Sequence, residues 1–100
     1  MSIARRLILS ALAEADLDEI WLFSAERWGV EQADRYAAQL TLAFRELAAG
    51  RRLSRPADFI KPALHKARCQ RHFIYFYRKE DEILISRVLH DSMDATLHVI

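Results

Sequence analysis

The spacing of apolar positions changes along the chain and marks out its elements. From Leu12 to Trp28 the residues Leu17, Ile20, Trp21, Ser24 and Trp28 recur at steps of three and four. That is one stripe of an amphipathic helix. Ser10 stands ahead of it as an N-cap, with Asp16 and Asp18 as further cap candidates. Gly29 follows directly and is the residue type that ends a helix in a left-handed conformation. A second helix is predicted from Glu31 to Ala49 on the stripe Ala33, Tyr36, Ala37, Leu40, Phe44, Leu47 and Ala48, with Gly50 closing it. So short a connection folds the pair into an antiparallel hairpin.

Beyond residue 70 the period shortens to two. Phe73 to Tyr77 and Ile83 to Leu89 are rich in aromatic and β-branched residues, the composition of half-buried strands. Between them, Lys79 to Glu82 contains no glycine, which favours a four- or five-residue loop over a tight primed turn. Phe73, Tyr75 and Tyr77 share one face of the first strand; His72, Ile74 and Phe76 share the other. Both faces are largely apolar, so this hairpin belongs at the sheet's centre, covered on one side and partly on the other. Ile3 to Leu9 reads as a first strand and Leu64 to Arg68 as a short one. Residues 51–63, with both prolines and no periodicity, read as a mobile loop, and Asp91 onward as one helical turn and a tail. The order is β-α-α-β-β-β. The fold class is α+β, with the helix hairpin packed on one face of a small antiparallel sheet. Residues 1–100 suffice for one domain with a single core.

An apolar fraction of 52% and a charged fraction of 29% are those of an ordinary globular chain and argue against disorder. No apolar run approaches the roughly 18 residues of a membrane span. Arg5 and Arg6 before a short apolar stretch superficially resemble a signal peptide. Glu14, Asp16 and Asp18 interrupt that stretch too soon, which favours the strand. Cys69 is the only cysteine; it excludes an internal disulfide, fits a reducing cytoplasm, and reads as a small apolar strand-edge residue rather than a nucleophile.

The net charge of +1 conceals an asymmetry: residues 51–79 carry nine basic side chains against Asp58 alone, a net of +8, flanked by acidic segments on both sides. Such a block points to an acidic protein partner or nucleic acid. His72, His90, His98, Tyr75, Tyr77, Arg78 and Arg87 are available for acid–base chemistry. There is, however, no nucleophile–base spacing, metal-ligand cluster or phosphate-binding glycine loop, so no catalytic residue, metal or cofactor is assigned. His72 begins a strand and His90 ends one, which places them at opposite ends of the hairpin or across a corner. Arg87 sits among apolar residues, where a charge needs a partner. Asp94 or Asp91 is the candidate, in a lock between the last strand and the tail or in a surface that meets a target.

Four segments carry a resemblance. Trp28-Gly29-Val-Glu-Gln32-Ala33-Asp-Arg-Tyr36 and Arg87-Val88-Leu89-His90-Asp-Ser-Met93-Asp94 look like signature segments of the ParE toxins, within the RelE/ParE superfamily of type II toxin–antitoxin systems. Asp16-Leu17-Asp-Glu-Ile20 and the strand His72-x-Ile74-x-Phe76-Tyr77-Arg78 fit the same pattern in the same order. Trp28 and Tyr36 are placed to pack across the corner that Gly29 makes. The resemblance implies a cytoplasmic toxin that binds DNA gyrase and traps it on cleaved DNA, and that meets DNA only indirectly, through its antitoxin.

It also implies a hetero-oligomer with a ParD-like antitoxin carrying an acidic, flexible C-terminal segment. An antitoxin helix is expected across the outer groove of the two helices near Trp21, Phe23, Leu42 and Phe44. An extended piece is expected on the sheet edge near residues 64–70, at Lys66 and Arg68. Arg78, Lys79, Arg87, His90, Met93 and Asp94 are the candidate target-binding residues. RelE-like relatives in the superfamily cut messenger RNA on the ribosome using basic residues and a terminal Tyr or His. Here Ala95 to Ile100 lacks that Arg and Tyr, with Val99 where the Tyr would stand. The alternatives are that ribonuclease activity and a non-toxic interaction module.

Overall fold

The computed structural model describes residues 4–98. In chain order the elements are β1 (Arg6–Leu9), α1 (Ala11–Trp28), α2 (Val30–Ala48), β2 (Arg55–Pro56), β3 (Leu64–Cys69), β4 (His72–Arg78), β5 (Glu82–His90) and α3 (Ala95–His98). The strands form one sheet in the order β1-β5-β4-β3-β2, so the hairpin that the sequence places at the centre is there, with β4 in the middle. β3, β4 and β5 are antiparallel, as expected, but β1 runs parallel to β5, which makes the sheet mixed. The part of the expected first strand from Met1 to Ile3 lies outside the described residues.

Local chemistry explains the helix boundaries. The Ser10 side chain accepts the Ala13 N–H at 3.0 Å and caps α1. Gly29, at φ 92° and ψ 163°, occupies backbone space that is essentially glycine's alone, and it joins α1 to α2 with no further linker. At the far end of α2, Gly50 N–H reaches Leu47 O and Arg51 N–H reaches Glu46 O, the paired closure of a Schellman motif around a left-handed glycine.

The helix stripe packs on one sheet face. Leu40, Ala43, Phe44 and Leu47 of α2 meet Ala67, Cys69, Ile74, Phe76, Ile83, Ile85 and Val88 in the main core. Each fully buried Leu or Ile there contributes about 1.5–3 kcal/mol. The opposite face carries a smaller core of Tyr75, Leu64 and Leu89 beneath Ala57 and Ala95, with Phe73, Tyr77 and Ile60 packed around it. This corrects the expectation for residues 51–63. The segment is not merely a connecting loop: it supplies β2, and Ala57, fully buried, donates its N–H to Leu64 O at 2.7 Å. Both sheet faces are covered, one by helices and the other only in part.

One irregularity fixes the site. Tyr75 faces Arg87 while its neighbour Phe76 faces Ile85, so Ser86 is an extra residue in β5. This bulge reverses the alternation and brings Ile85 and Val88, three residues apart, onto the same core side. The β1 strand pairs with β5 only as far as Ile85. There Ser10 leaves the sheet, its hydroxyl donating to Ser86 O at 2.7 Å, and α1 crosses the remaining edge of β5.

Candidate functional site

Because β1 stops at Ile85, the outer edge of β5 from Ser86 to His90 has no strand beside it among the described residues. That edge and α1 bound a groove of about 760 Å³, lined also by Tyr36, His72, Met93 and His98. Its wall is unusual for a helix of this length. The buried residues of α1 are Ala13, Asp16 and Ser24, whereas Leu22, Phe23 and Trp28 are more than half exposed. Phe23 and Trp28 meet edge to face at 6.1 Å, and the Arg27 guanidinium lies over both rings. Large apolar side chains are thus held outward beside an open strand edge, an exposed patch of the kind that marks interaction sites.

At the groove's floor, Asp16 takes Arg87 in both forks, with Nε to Oδ2 and Nη2 to Oδ1 each 2.8 Å, and also accepts the Val88 N–H at 2.9 Å. Arg87 Nη1 donates to His98 O at 2.7 Å. The Asp16 hydrogen bonds hold the guanidinium above its already high ordinary pKa. The lock inferred for Arg87 therefore exists, but its partner is Asp16 of α1. It is neither Asp94, whose carboxylate caps Thr96, nor Asp91, which pairs with Arg68 and Arg71. Asp16 is accordingly not a helix cap. Its position four residues before Ile20, on the buried stripe, is the sequence signal that identifies it.

His72 and His90 are directly opposed across β4 and β5, with ring centroids 5.3 Å apart. Tyr36 OH shares a hydrogen bond with His72 Nδ1 and accepts the Arg71 N–H at 3.3 Å. Burial first, then the neighbouring His90, push the His72 pKa down to about 4, so its ring is neutral at physiological pH. Burial also raises the Tyr36 phenol, which keeps its proton. His90 Nδ1 lies 2.7 Å from Ser92 Oγ, and Arg71 Nε is 3.3 Å from Asp91. Tyr36, Arg71, His72, Arg87 and His90 thus gather along one groove, more closely than the sequence reading expects, and each of these five is bonded to a neighbour.

The other sequence candidates scatter. Phe23 of the expected antitoxin contacts lines the groove, as do Arg87, His90 and Met93 of the expected target contacts. Phe44 is 2% exposed and belongs to the core, so it is not a surface contact. Trp21 is half-buried and its indole N–H donates to Asp34 at 2.8 Å; Leu42 is exposed on α2, outside the groove. Lys66 and Arg68 belong to β3, away from the groove; on the edge expected to receive an extended segment near 64–70, β2 pairs with His65 and Lys66 only. Arg78 and Lys79 are exposed at the β4–β5 turn, where Lys79 faces Glu82 at 3.5 Å. Trp28, expected on the buried stripe and packed on Tyr36, is 61% exposed on the groove wall instead. Cys69 is buried beneath α2, and burial pushes its thiol pKa up.

Residues 7–95 match the family described as ParE toxin of type II toxin-antitoxin system, parDE. The chain belongs to this family. Toxin ParE1 of Mycobacterium tuberculosis is 41% identical over 92 residues, covering 90% of this chain and 93% of that protein. Toxin ParE1 of Caulobacter vibrioides is 38% identical over 91 residues, covering 91% of this chain and 94% of that one. A solved structure of the chromosomal ParDE TA system from P. aeruginosa superposes with a TM-score of 0.75 at 23% identity, over 87% of this chain and 96% of that chain, which establishes the shared fold. The ParE membership accounts for the order of elements and makes this chain the toxin component of a type II toxin–antitoxin system. No helix among the described residues of this ParE chain is long and apolar enough to cross a membrane.

Proposed function

We propose that this toxin acts in the cytoplasm by binding DNA gyrase and trapping it on cleaved DNA, and that a ParD-like antitoxin neutralises it by occupying the groove between α1 and β5. One observation carries the reading: α1 holds Phe23 and Trp28 outward beside a strand edge that no other strand among the described residues covers. An antitoxin segment that folds on binding lays an apolar face on that wall and pairs with the edge of β5 toward His90, beyond the Val88 N–H that Asp16 already holds. Tyr36 with His72, and Asp16 with Arg87, are bonded to each other in the groove, and the His72 pKa of about 4 lies far from working pH, which favours recognition over proton transfer.

A second reading, a ribosome-dependent endoribonuclease, is favoured by the convergence of Tyr36, Arg71, His72 and His90 on the same groove. Expression without antitoxin separates the two. Growth arrest with an SOS response and gyrase covalently held on DNA supports the first. Fragmented messenger RNA with intact chromosomes supports the second, and normal growth removes both.

A further inference from the structure

The α1–β5 groove leaves the most basic part of the chain without a role. Arg55, Lys66 and Arg68 stand on the sheet face opposite the helices: Lys66 and Arg68 alternate with the core-facing Ala67 of β3, and Arg55 lies directly across from Lys66 on β2. Two like charges facing each other across strands destabilise a sheet, and the fold does not require them. Among the described residues the acid in contact with these three cations is Asp91, which Arg68 shares with Arg71. Lys66 Nζ sits 4.6 Å from the Phe73 ring centroid and 5.8 Å from that of Phe59, and Arg68 Cζ lies 5.1 Å from Phe73. Around them a concavity of about 240 Å³ is lined by Leu53, Ser54 and the same cations, with Leu53 93% and Phe59 74% exposed beside it.

We infer that Arg55, Lys66 and Arg68, with the exposed Phe59 and Leu53, form a binding site for the phosphodiester backbone of single-stranded nucleic acid. Two features select that polyanion. Lys66 and Arg68 are two strand residues apart, roughly 6.6 Å, with Arg55 across from Lys66, so the site presents a short row of closely set cations to a chain charged at every unit. The exposed Phe59 ring stands at the edge of that row, where a base splayed from the backbone stacks on it. Burial and the facing Arg55 draw the Lys66 amine below its ordinary pKa, which a bound phosphate relieves. The site lies on a different surface from the antitoxin groove, so it is compatible with the neutralised complex and independent of the gyrase reading.

The test is fluorescence anisotropy with labelled oligothymidylate and purified toxin, with neither gyrase nor antitoxin present. The expected result is salt-dependent binding that weakens at least tenfold in the Arg55→Gln, Lys66→Gln double variant. Its log K against log salt slope falls by about 1.4, roughly 0.7 for each phosphate no longer neutralised. Phe59→Ala weakens binding with the slope unchanged. Phe59→Ala retains the parent melting temperature, and the double variant, relieved of two facing like charges, melts no lower than the parent. Oligothymidylate binding that is absent, or equal in parent and double variant, overturns the proposal. So does a glutamate-rich peptide that binds through the same residues while the oligonucleotide does not, which assigns the row to an acidic protein segment instead.

Discussion

Asp16 and Arg87, 71 residues apart in sequence, form a two-pronged ion pair at 2.8 Å that ties α1 to the free half of β5. The same carboxylate holds the Val88 N–H, and the same guanidinium holds His98 O, so one pair fixes the helix, the bulged strand and α3 relative to each other. This electrostatic joint therefore helps set the groove's two walls, together with the Ser10 hydroxyl bond to Ser86 O where α1 begins. Its side chains are only 11% and 16% exposed. At that burial the loss of either partner strands a charge, which is far more costly than the pair's own net contribution.

Arg87→Ala and Asp16→Ala are each expected to lower stability by about 3 kcal/mol in urea denaturation. The double variant should lose markedly less than the two losses added together, because the second removal strands nothing further. An unchanged melting temperature with lost toxicity in Arg87→Ala would instead place Arg87 on the target surface.

Phe23 and Phe44 are both aromatic residues on helices but should respond in opposite ways. Phe44→Ala should cost about 3–5 kcal/mol of stability as a core truncation. Phe23→Ala should leave stability within about 0.5 kcal/mol and weaken antitoxin binding tenfold or more, read by calorimetry. Equal effects of the two on melting would remove Phe23 from the groove wall.

Gly29→Ala introduces no clash, since nothing lies within 4 Å of the added methyl, yet it places an L-residue at φ 92°. The backbone strain alone is expected to cost about 1–3 kcal/mol, measured by thermal unfolding. A neutral result would mean that the α1–α2 corner has a second accessible geometry.

His72 makes stability pH-dependent in a defined window. The unfolded chain takes up a proton at this ring near pH 6.5, the folded chain only near pH 4, so unfolding is favoured progressively as pH falls between those values. Above that window the ring is neutral in both states and contributes no slope. Melting temperatures between pH 7.5 and 4.5 should fall less steeply in His72→Gln than in the parent. Parallel curves would show that acid sensitivity arises elsewhere.

Much of this arrangement is legible in the sequence because its causes are local. The caps at Ser10 and Gly29, the α2 stripe from Ala33 to Ala48, and the apolar runs around Ile74 and Ile85 each lie within a few residues of what they determine. The parallel pairing of β1 with β5 joins residues about 76 apart in sequence, and the bulge at Ser86 depends on the register between β4 and β5; periodicity carries neither. The site is legible only in part for the same reason. Phe23, His90 and Met93, singled out in the sequence as contacts, line the groove, while Phe44 reads as surface and Trp28 as core because a 3.6-residue stripe does not say which of two helix faces meets the sheet. Asp16 illustrates the limit most clearly: its role depends on Arg87, and nothing near it in sequence announces that partner.

The central claim, that this toxin acts by gripping gyrase rather than by cutting RNA, is tested most directly in a reconstituted DNA cleavage assay. Purified toxin is incubated with gyrase, ATP and supercoiled plasmid, and protein-linked linear DNA is measured after denaturation. The account predicts linear DNA that increases with toxin concentration and disappears when antitoxin is added first. Unchanged plasmid alongside toxin-dependent cleavage of messenger RNA on purified ribosomes would contradict it.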